Sequence, residues 1–174
     1  MVVCGMDEVG RGCIAGPLTA AAVIFNSQFT IFNLKDSKKL TTKQREDIYH
    51  QLVNAKVIFA VEFISVEEIN RFGIGWANKE IFVRLKSKLK ADEYIADGNL
   101  KIDGIRSLIK ADDKVPEVMA ASIIAKVTRD KYMSSLDIKY LWNINKGYAT
   151  KKHLELIKIH GASVHHRTRY RPFI

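Results

Sequence analysis

The sequence predicts an α/β fold, a mixed sheet with helices packed against it. Short apolar runs rich in β-branched residues alternate with longer stretches of helical character. Their order reads three strands, helix, strand, helix, strand, helix. Two of the apolar runs also stop at an acid, Asp7 and Asp97. Residues 1–6 and the run Leu18-Thr19-Ala20-Ala21-Ala22-Val23-Ile24-Phe25 read as strands around a Gly-rich turn. Residues 29–32 read as a third, short strand. Thr41-Thr42-Lys43-Gln44 opens a helix to about residue 54, with either threonine able to cap it. An apolar strand follows at 57–63. Ser65-Val66-Glu67-Glu68 has the form of a capping box, and helix continues to about residue 90 with a break near Gly73 and Gly75. A strand at 93–96 stops at Asp97-Gly98, and a short one near 107–109 precedes a helix over 116–135. A last helix covers about 150–159.

At 174 residues and 47% hydrophobic the chain can build one sizeable core. One compact domain is expected, with residues 1–135 as the core and 136–174 as a basic segment packed on it. No run of 18 apolar residues is present, and the first residues lack the pattern of a signal peptide. Cys4 and Cys13 are too close to suggest a disulfide framework. A cytoplasmic protein without membrane contact is therefore expected. The charge is uneven: residues 131–174 hold nine Lys and Arg against two acids, which is +7 of the net +9. Such a segment is the footprint of a polyanion partner, although a solvated helix face would have the same composition. Aromatics among the cations favour nucleic acid: Tyr148 lies near Lys146, Lys151 and Lys152, and His165-His166-Arg167-Thr168-Arg169-Tyr170-Arg171 alternates cations with a ring.

The most informative segment is Asp7-Glu8-Val9-Gly10-Arg11-Gly12 after an apolar run. Buried charge is costly unless paired or bound to metal, and adjacent carboxylates suit magnesium or manganese. The glycines allow close backbone approach to a phosphate. Successive strand residues face opposite ways, so Asp7 and Glu8 converge only if the chain leaves the regular strand there. Asp97 sits at a strand end like Asp7, where functional side chains gather in parallel sheets; Asp97-Gly98 alone also reads as an ordinary turn. A fourth acid is Asp112 or Asp113, ahead of the helix over 116–135. Within that helix Ser122, Lys126 and Arg129 share one face, a cationic stripe suited to a phosphate backbone.

These segments together resemble the type 2 ribonuclease H (ribonuclease HII) family. Asp7-Glu8-Val9-Gly10-Arg11-Gly12 with Ala15-Gly16-Pro17-Leu18 is similar to its N-terminal signature. Asp36-Ser37-Lys38-Lys39-Leu40, Ile69-Asn70 with Gly73-Ile74, and Ala96-Asp97-Gly98 resemble the middle motifs. Lys110-Ala111-Asp112, the run from Ala120 to Asp130, Gly147-Tyr148-Ala149-Thr150, His153 and His166-Arg167 complete the ordered set. Ala149 departs from the usual glycine or proline, which touches the loop beside Tyr148.

The resemblance implies a ribonuclease H-like fold, with a five-stranded mixed sheet, flanking helices and a C-terminal helical substrate-binding extension. It implies an endonuclease that cuts the RNA strand of RNA–DNA hybrids, and cuts 5′ of ribonucleotides embedded in duplex DNA. Asp7, Glu8, Asp97 and Asp112 match the four catalytic carboxylates, which would hold two Mg²⁺ or Mn²⁺ ions and leave 5′-phosphate and 3′-hydroxyl ends. Asp112 is chosen over Asp113 for its family spacing to Lys114, and Asp103-Gly104 is taken as a decoy. The 2′-hydroxyl, which distinguishes RNA from DNA, would meet Gly10, Arg11, Gly12 and Tyr148. Ser37, Lys38, Lys39, Ser122, Lys126, Arg129, His166 and Arg167 are further substrate-binding candidates. Without the resemblance Tyr148 reads as an amphipathic surface tyrosine. A monomer is expected. Rival readings are another metal nuclease of the same fold, the sister type 3 enzyme, and a non-catalytic hybrid-binding module.

Overall fold

The computed structural model describes residues 1–25 and 40–173. The expected strand at 29–32, and Ser37, Lys38 and Lys39, lie outside the described residues. Five strands form one mixed sheet: β1 (Val3–Val9), β2 (Leu18–Ile24), β3 (Ile58–Ile64), β4 (Glu93–Asp97) and β5 (Arg106–Leu108), in the order β3-β2-β1-β4-β5. The β1–β2 and β2–β3 pairs are antiparallel, and the β1–β4 and β4–β5 pairs are parallel.

Helices cover both faces. Alternation along β1 and β2 sends Cys4, Met6, Ala20 and Ala22 to one side, where they pack on α2 (Val66–Phe72) and α3 (Ile74–Lys88). Ala77, Ile81, Phe82 and Leu85 recur at helical spacing and form the buried stripe of α3. Complete burial of a side chain such as Phe82 or Leu85 stabilises the fold by roughly 1.5–3 kcal/mol. On the other side Ala21 and Val23 meet α1 (Thr42–Asn54) and α4 (Pro116–Ser135). Ala120, Ala121 and Ala125 let α4 lie close to the sheet.

Local chemistry sets the helix ends. Thr41 and Gln44 form a reciprocal capping box on α1, and Ser65 and Glu68 form another on α2. Proline is tolerated in the first turn of α4, where its missing N–H costs nothing. The C-terminal part adds a 3₁₀ turn (Ile138–Tyr140), the short α5 (Trp142–Asn145) and α6 (Lys151–His160). Tyr140 and Trp142 are buried with Met133 and Ala15, which seats this part on the Gly-rich turn. Among the described residues no helix is long and apolar enough to cross a membrane. Both cysteines are free and buried.

Candidate active site

The parallel strands β1 and β4 point their carboxyl ends the same way, and an acid stands at each end. The condition that Asp7 and Glu8 converge only if the chain leaves the regular strand is corrected: β1 stays regular through Val9, with Asp7 opposite Ala21 and Glu8 opposite Ala20. The opening lies on the other edge instead. Pairing with β4 stops at Met6–Ala96, so beyond Met6 that flank of β1 is uncovered. Asp7 reaches the gap from the α4 face and Glu8 from the α3 face, and both line one cleft with Asp97.

Asp7 is almost wholly buried, with 6% exposure. It accepts a hydrogen bond from the Glu8 amide at 2.8 Å and another from Ser122. Burial first, then the charges of Glu8 and Asp97, push its carboxyl well above the ordinary value of 3.8; the two hydrogen bonds offset this only in part. Asp97 accepts from the Ala111 amide at 2.8 Å. That bond draws the 3₁₀ turn Ala111–Asp113 against the end of β4. In that turn Asp112 is buried and Asp113 is exposed. Asp112 is not among the residues lining the cleft. Among the described residues no three metal-ligating side chains are already gathered into a cage. The donor set still fits a hard cation: oxygen ligands only, one of them a buried carboxylate crowded by two more, which a divalent ion would neutralise.

The cleft measures about 370 Å³. Gly10, Arg11 and Gly12 form one wall, and Arg45, Lys126 and Tyr148 stand around the acids. A larger open hollow of about 680 Å³ lies along residues 98–109. Its single acid is Asp103, held in a turn whose carbonyl accepts from Lys86 at 3.1 Å. Size and chemistry therefore disagree, and the clustered acids mark the smaller cleft.

The sequence model of the family described as Ribonuclease HII matches residues 4–172. A ribonuclease HII of Wolbachia pipientis is 41% identical over 98% of this chain and 91% of its own length. One from Rickettsia conorii is likewise 41% identical, with the same coverage. The ribonuclease HII of Archaeoglobus fulgidus, solved in complex with PCNA, superposes with a TM-score of 0.83 at 26% identity, over 98% of this chain and 96% of that one. The chain belongs to the ribonuclease HII family. It is accordingly a ribonuclease H, an endonuclease acting on the RNA strand of its nucleic-acid substrate, and its five-stranded mixed sheet is the ribonuclease H-like fold.

Within this ribonuclease HII three of the expected substrate contacts are corrected. Arg129 is fully buried; its guanidinium donates to the carbonyls of Pro17 at 2.9 Å, Lys146 at 2.8 Å and Ala15 at 3.0 Å. Arg167, also fully buried, donates to Gly16 at 2.8 Å and Arg11 at 3.2 Å. His166 has 1% exposure and lies beside Tyr140 and Trp142. A guanidinium aimed inward satisfies backbone oxygens that a tight turn leaves without partners, so the two arginines shape the turn rather than touch phosphate. Gly10, at φ +92°, is where a side chain would collide with Arg129. Ser122 and Lys126 line the cleft, Ser122 buried and Lys126 partly exposed, on the end of the stripe away from Arg129. Tyr148 is 41% exposed with its ring 5.6 Å from Lys126 Nζ, and burial raises the pKa of its hydroxyl. Arg45 was missed by sequence reasoning: between Gln44 and Glu46 near the start of a polar helix it reads as solvated surface.

Proposed function

We propose that this ribonuclease HII cuts the RNA strand of RNA–DNA hybrids, and cuts duplex DNA on the 5′ side of a single embedded ribonucleotide. The observation that carries the reading is the meeting of Asp7, Glu8 and Asp97 in one cleft, under a Gly-rich turn and beside Tyr148. Asp7, Glu8, Asp97 and Asp112 would hold two divalent ions, Mg²⁺ or Mn²⁺. Bound there, the pair supplies an activated water and neutralises charge on the leaving 3′-oxygen. Asp7 faces the reaction with its orientation set by Ser122 and the Glu8 amide, and Asp97 with its orientation set by the Ala111 amide. Asp112 completes the set from the turn that the Ala111 amide ties to Asp97.

Recognition falls to neutral and cationic groups around the acids. The bare backbone of Gly10, Arg11 and Gly12 approaches the scissile phosphate and the 2′-hydroxyl, the only group that separates RNA from DNA at that position. Tyr148 offers its hydroxyl to the same 2′-hydroxyl and its ring to the next, deoxy, sugar. Lys126 and Arg45 take neighbouring phosphates, and Ser37, Lys38 and Lys39 are assigned the same task. A product set ending in 5′-phosphate and 3′-hydroxyl follows from attack by water on the phosphorus with departure of the 3′-oxygen.

The test is a DNA duplex carrying one ribonucleotide, incubated with Mg²⁺ or Mn²⁺ and with excess chelator. Cleavage on the 5′ side of the ribose, ending in 3′-hydroxyl and lost with chelator, is the expected result. Cleavage of long hybrids with the single-ribonucleotide duplex left intact would overturn the finer reading.

A further inference from the structure

The loop that carries Tyr148 is held by three consecutive carbonyls, each taken by a different part of the chain. The Lys146 carbonyl accepts from Arg129. The Gly147 carbonyl accepts from the amides of Ile14 at 3.0 Å and Ala15 at 3.2 Å. The Tyr148 carbonyl accepts from the Thr150 amide at 2.8 Å and lies 2.7 Å from His153 Nδ1. Gly147, at φ +85°, has no room for a side chain, because a Cβ there would overlap the Ala15 carbonyl.

His153 continues the chain of contacts. Its Nε2 lies 3.2 Å from His166 Nε2, and His166 Nδ1 lies 2.8 Å from the Ser163 amide nitrogen. The polarity of the two ends assigns every proton. The Ser163 amide can only donate, and the Ser163 hydroxyl, 2.9 Å from the same nitrogen, can donate there too, so His166 Nδ1 accepts and its proton is on Nε2. The Tyr148 carbonyl can only accept, so His153 Nδ1 is the donor and His153 Nε2 is bare. The middle contact then has one proton between two nitrogens. Both rings are neutral in this arrangement, and a further proton would set two N–H groups head to head. Burial agrees: it lowers His153, and with the neighbouring His153 it brings His166 down to about 4. The His166 segment is itself tied to the Gly-rich turn, since the Arg167 amide donates to Ile14 and the Gly16 amide to the His165 carbonyl, both at 2.8 Å.

We propose that His153 and His166 are positioning residues: a fixed-tautomer relay that joins the Tyr148 loop to the Gly-rich turn and sets the register in which both read one ribose. The inference rests on the reading that Tyr148 contacts that ribose. Packing alone explains less. A phenylalanine at 153 would fill the space among Tyr140 and Trp142, yet would leave the Tyr148 carbonyl only the Thr150 amide.

Two near-isosteric substitutions separate the roles, because an asparagine amide falls near the Nδ1 position of histidine and a glutamine amide near Nε2. His153→Asn keeps a donor for the Tyr148 carbonyl; His153→Gln keeps the His166 contact and loses that donor. On a one-ribonucleotide duplex, His153→Gln should lose about tenfold in kcat/KM, as for one buried hydrogen bond, with His153→Asn within about twofold of the parent. In a Tyr148→Ala background His153→Gln should cost nothing further. Imidazole ¹⁵N shifts of the unsubstituted protein should show His153 protonated at Nδ1 and His166 at Nε2. The relay is overturned by a proton on His153 Nε2, by equal losses in the Asn and Gln variants, or by a Gln loss that adds in full to Tyr148→Ala. Full activity of Tyr148→Ala would instead bring down the ribose reading and with it the purpose of the relay, whose geometry the nitrogen shifts test separately.

Discussion

Asp7 is the residue on which the site turns, and its environment makes a prediction about stability as well as activity. Folding raises the pKa of its carboxyl, so the fold favours the protonated form. Its contribution is therefore best at low pH and is lost as pH climbs from the ordinary value of 3.8 through the raised one. In metal-free protein, Asp7→Asn should melt above the parent at pH 7, the gap closing towards pH 4, at about 2–4 °C per kcal/mol of relieved strain for a chain of this length. Mg²⁺ should raise the melting temperature of the parent and leave that of Asp7→Asn nearly unmoved. A parent that melts higher than Asp7→Asn without metal at pH 7 would contradict the account. The second prediction concerns neighbours. Asp112→Asn should cost far more turnover than Asp113→Asn or Asp103→Asn, since Asp112 is buried in the turn tied to Asp97, Asp113 faces solvent and Asp103 belongs to another hollow. Equal losses at 112 and 113 would mean that the register is wrong. That Asp7 and Asp97 meet in one cleft was legible because an acid at the end of an apolar run has few structural excuses. The inward aim of Arg129 and Arg167 was not, because a sequence does not reveal whether a cation meets phosphate or backbone oxygen.

At the scale of elements, α4 divides its labour along one face. Ser122 and Lys126 reach the cleft, while Arg129, one turn on, fastens the Gly-rich turn to the Tyr148 loop. Arg129→Met should therefore destabilise the protein by about 3 kcal/mol or more, since three carbonyls lose a charged donor and those of Pro17 and Ala15 are buried, at about 1–3 kcal/mol each. It should leave the salt dependence of hybrid binding unchanged. Lys126→Ala should do the reverse, with little loss in a urea melt and a slope of log K against log salt shallower by about one unit. A shallower slope for Arg129→Met would return Arg129 to the phosphate surface. The helix itself was readable from end to end, with proline in its first turn and small residues towards the sheet. The short α5 was not: it is four residues long, and Leu141 and Lys146 on either side adopt left-handed backbone without being glycine or asparagine. Nor was the open flank of β1, which depends on where β4 stops pairing rather than on any residue of β1.

For the whole molecule, the C-terminal segment is fastened to the Gly-rich turn by buried residues, while most of its cations face solvent. Tyr140 and Trp142 complete a cluster with Ala15 and Met133, and Arg167 and Tyr170 donate to the Arg11 carbonyl. A chain ending at Ser135 should accordingly lose cooperative unfolding, seen as a broad denaturation profile; a sharp, parent-like transition would show that the core stands alone. The excess of charge in residues 131–174 was visible in the sequence, but composition could not say that one of its cations, Arg167, faces inward together with the adjacent His166. The central claim is that acids at two convergent strand ends carry out the cleavage while the surrounding loops hold the substrate. Its most direct measurement compares cleavage and binding of an RNA–DNA hybrid by Asp7→Asn in Mg²⁺. The account predicts that cleavage is lost while the hybrid is bound at least as tightly as by the parent, one repelling charge having been removed. Near-parental turnover by Asp7→Asn would contradict it.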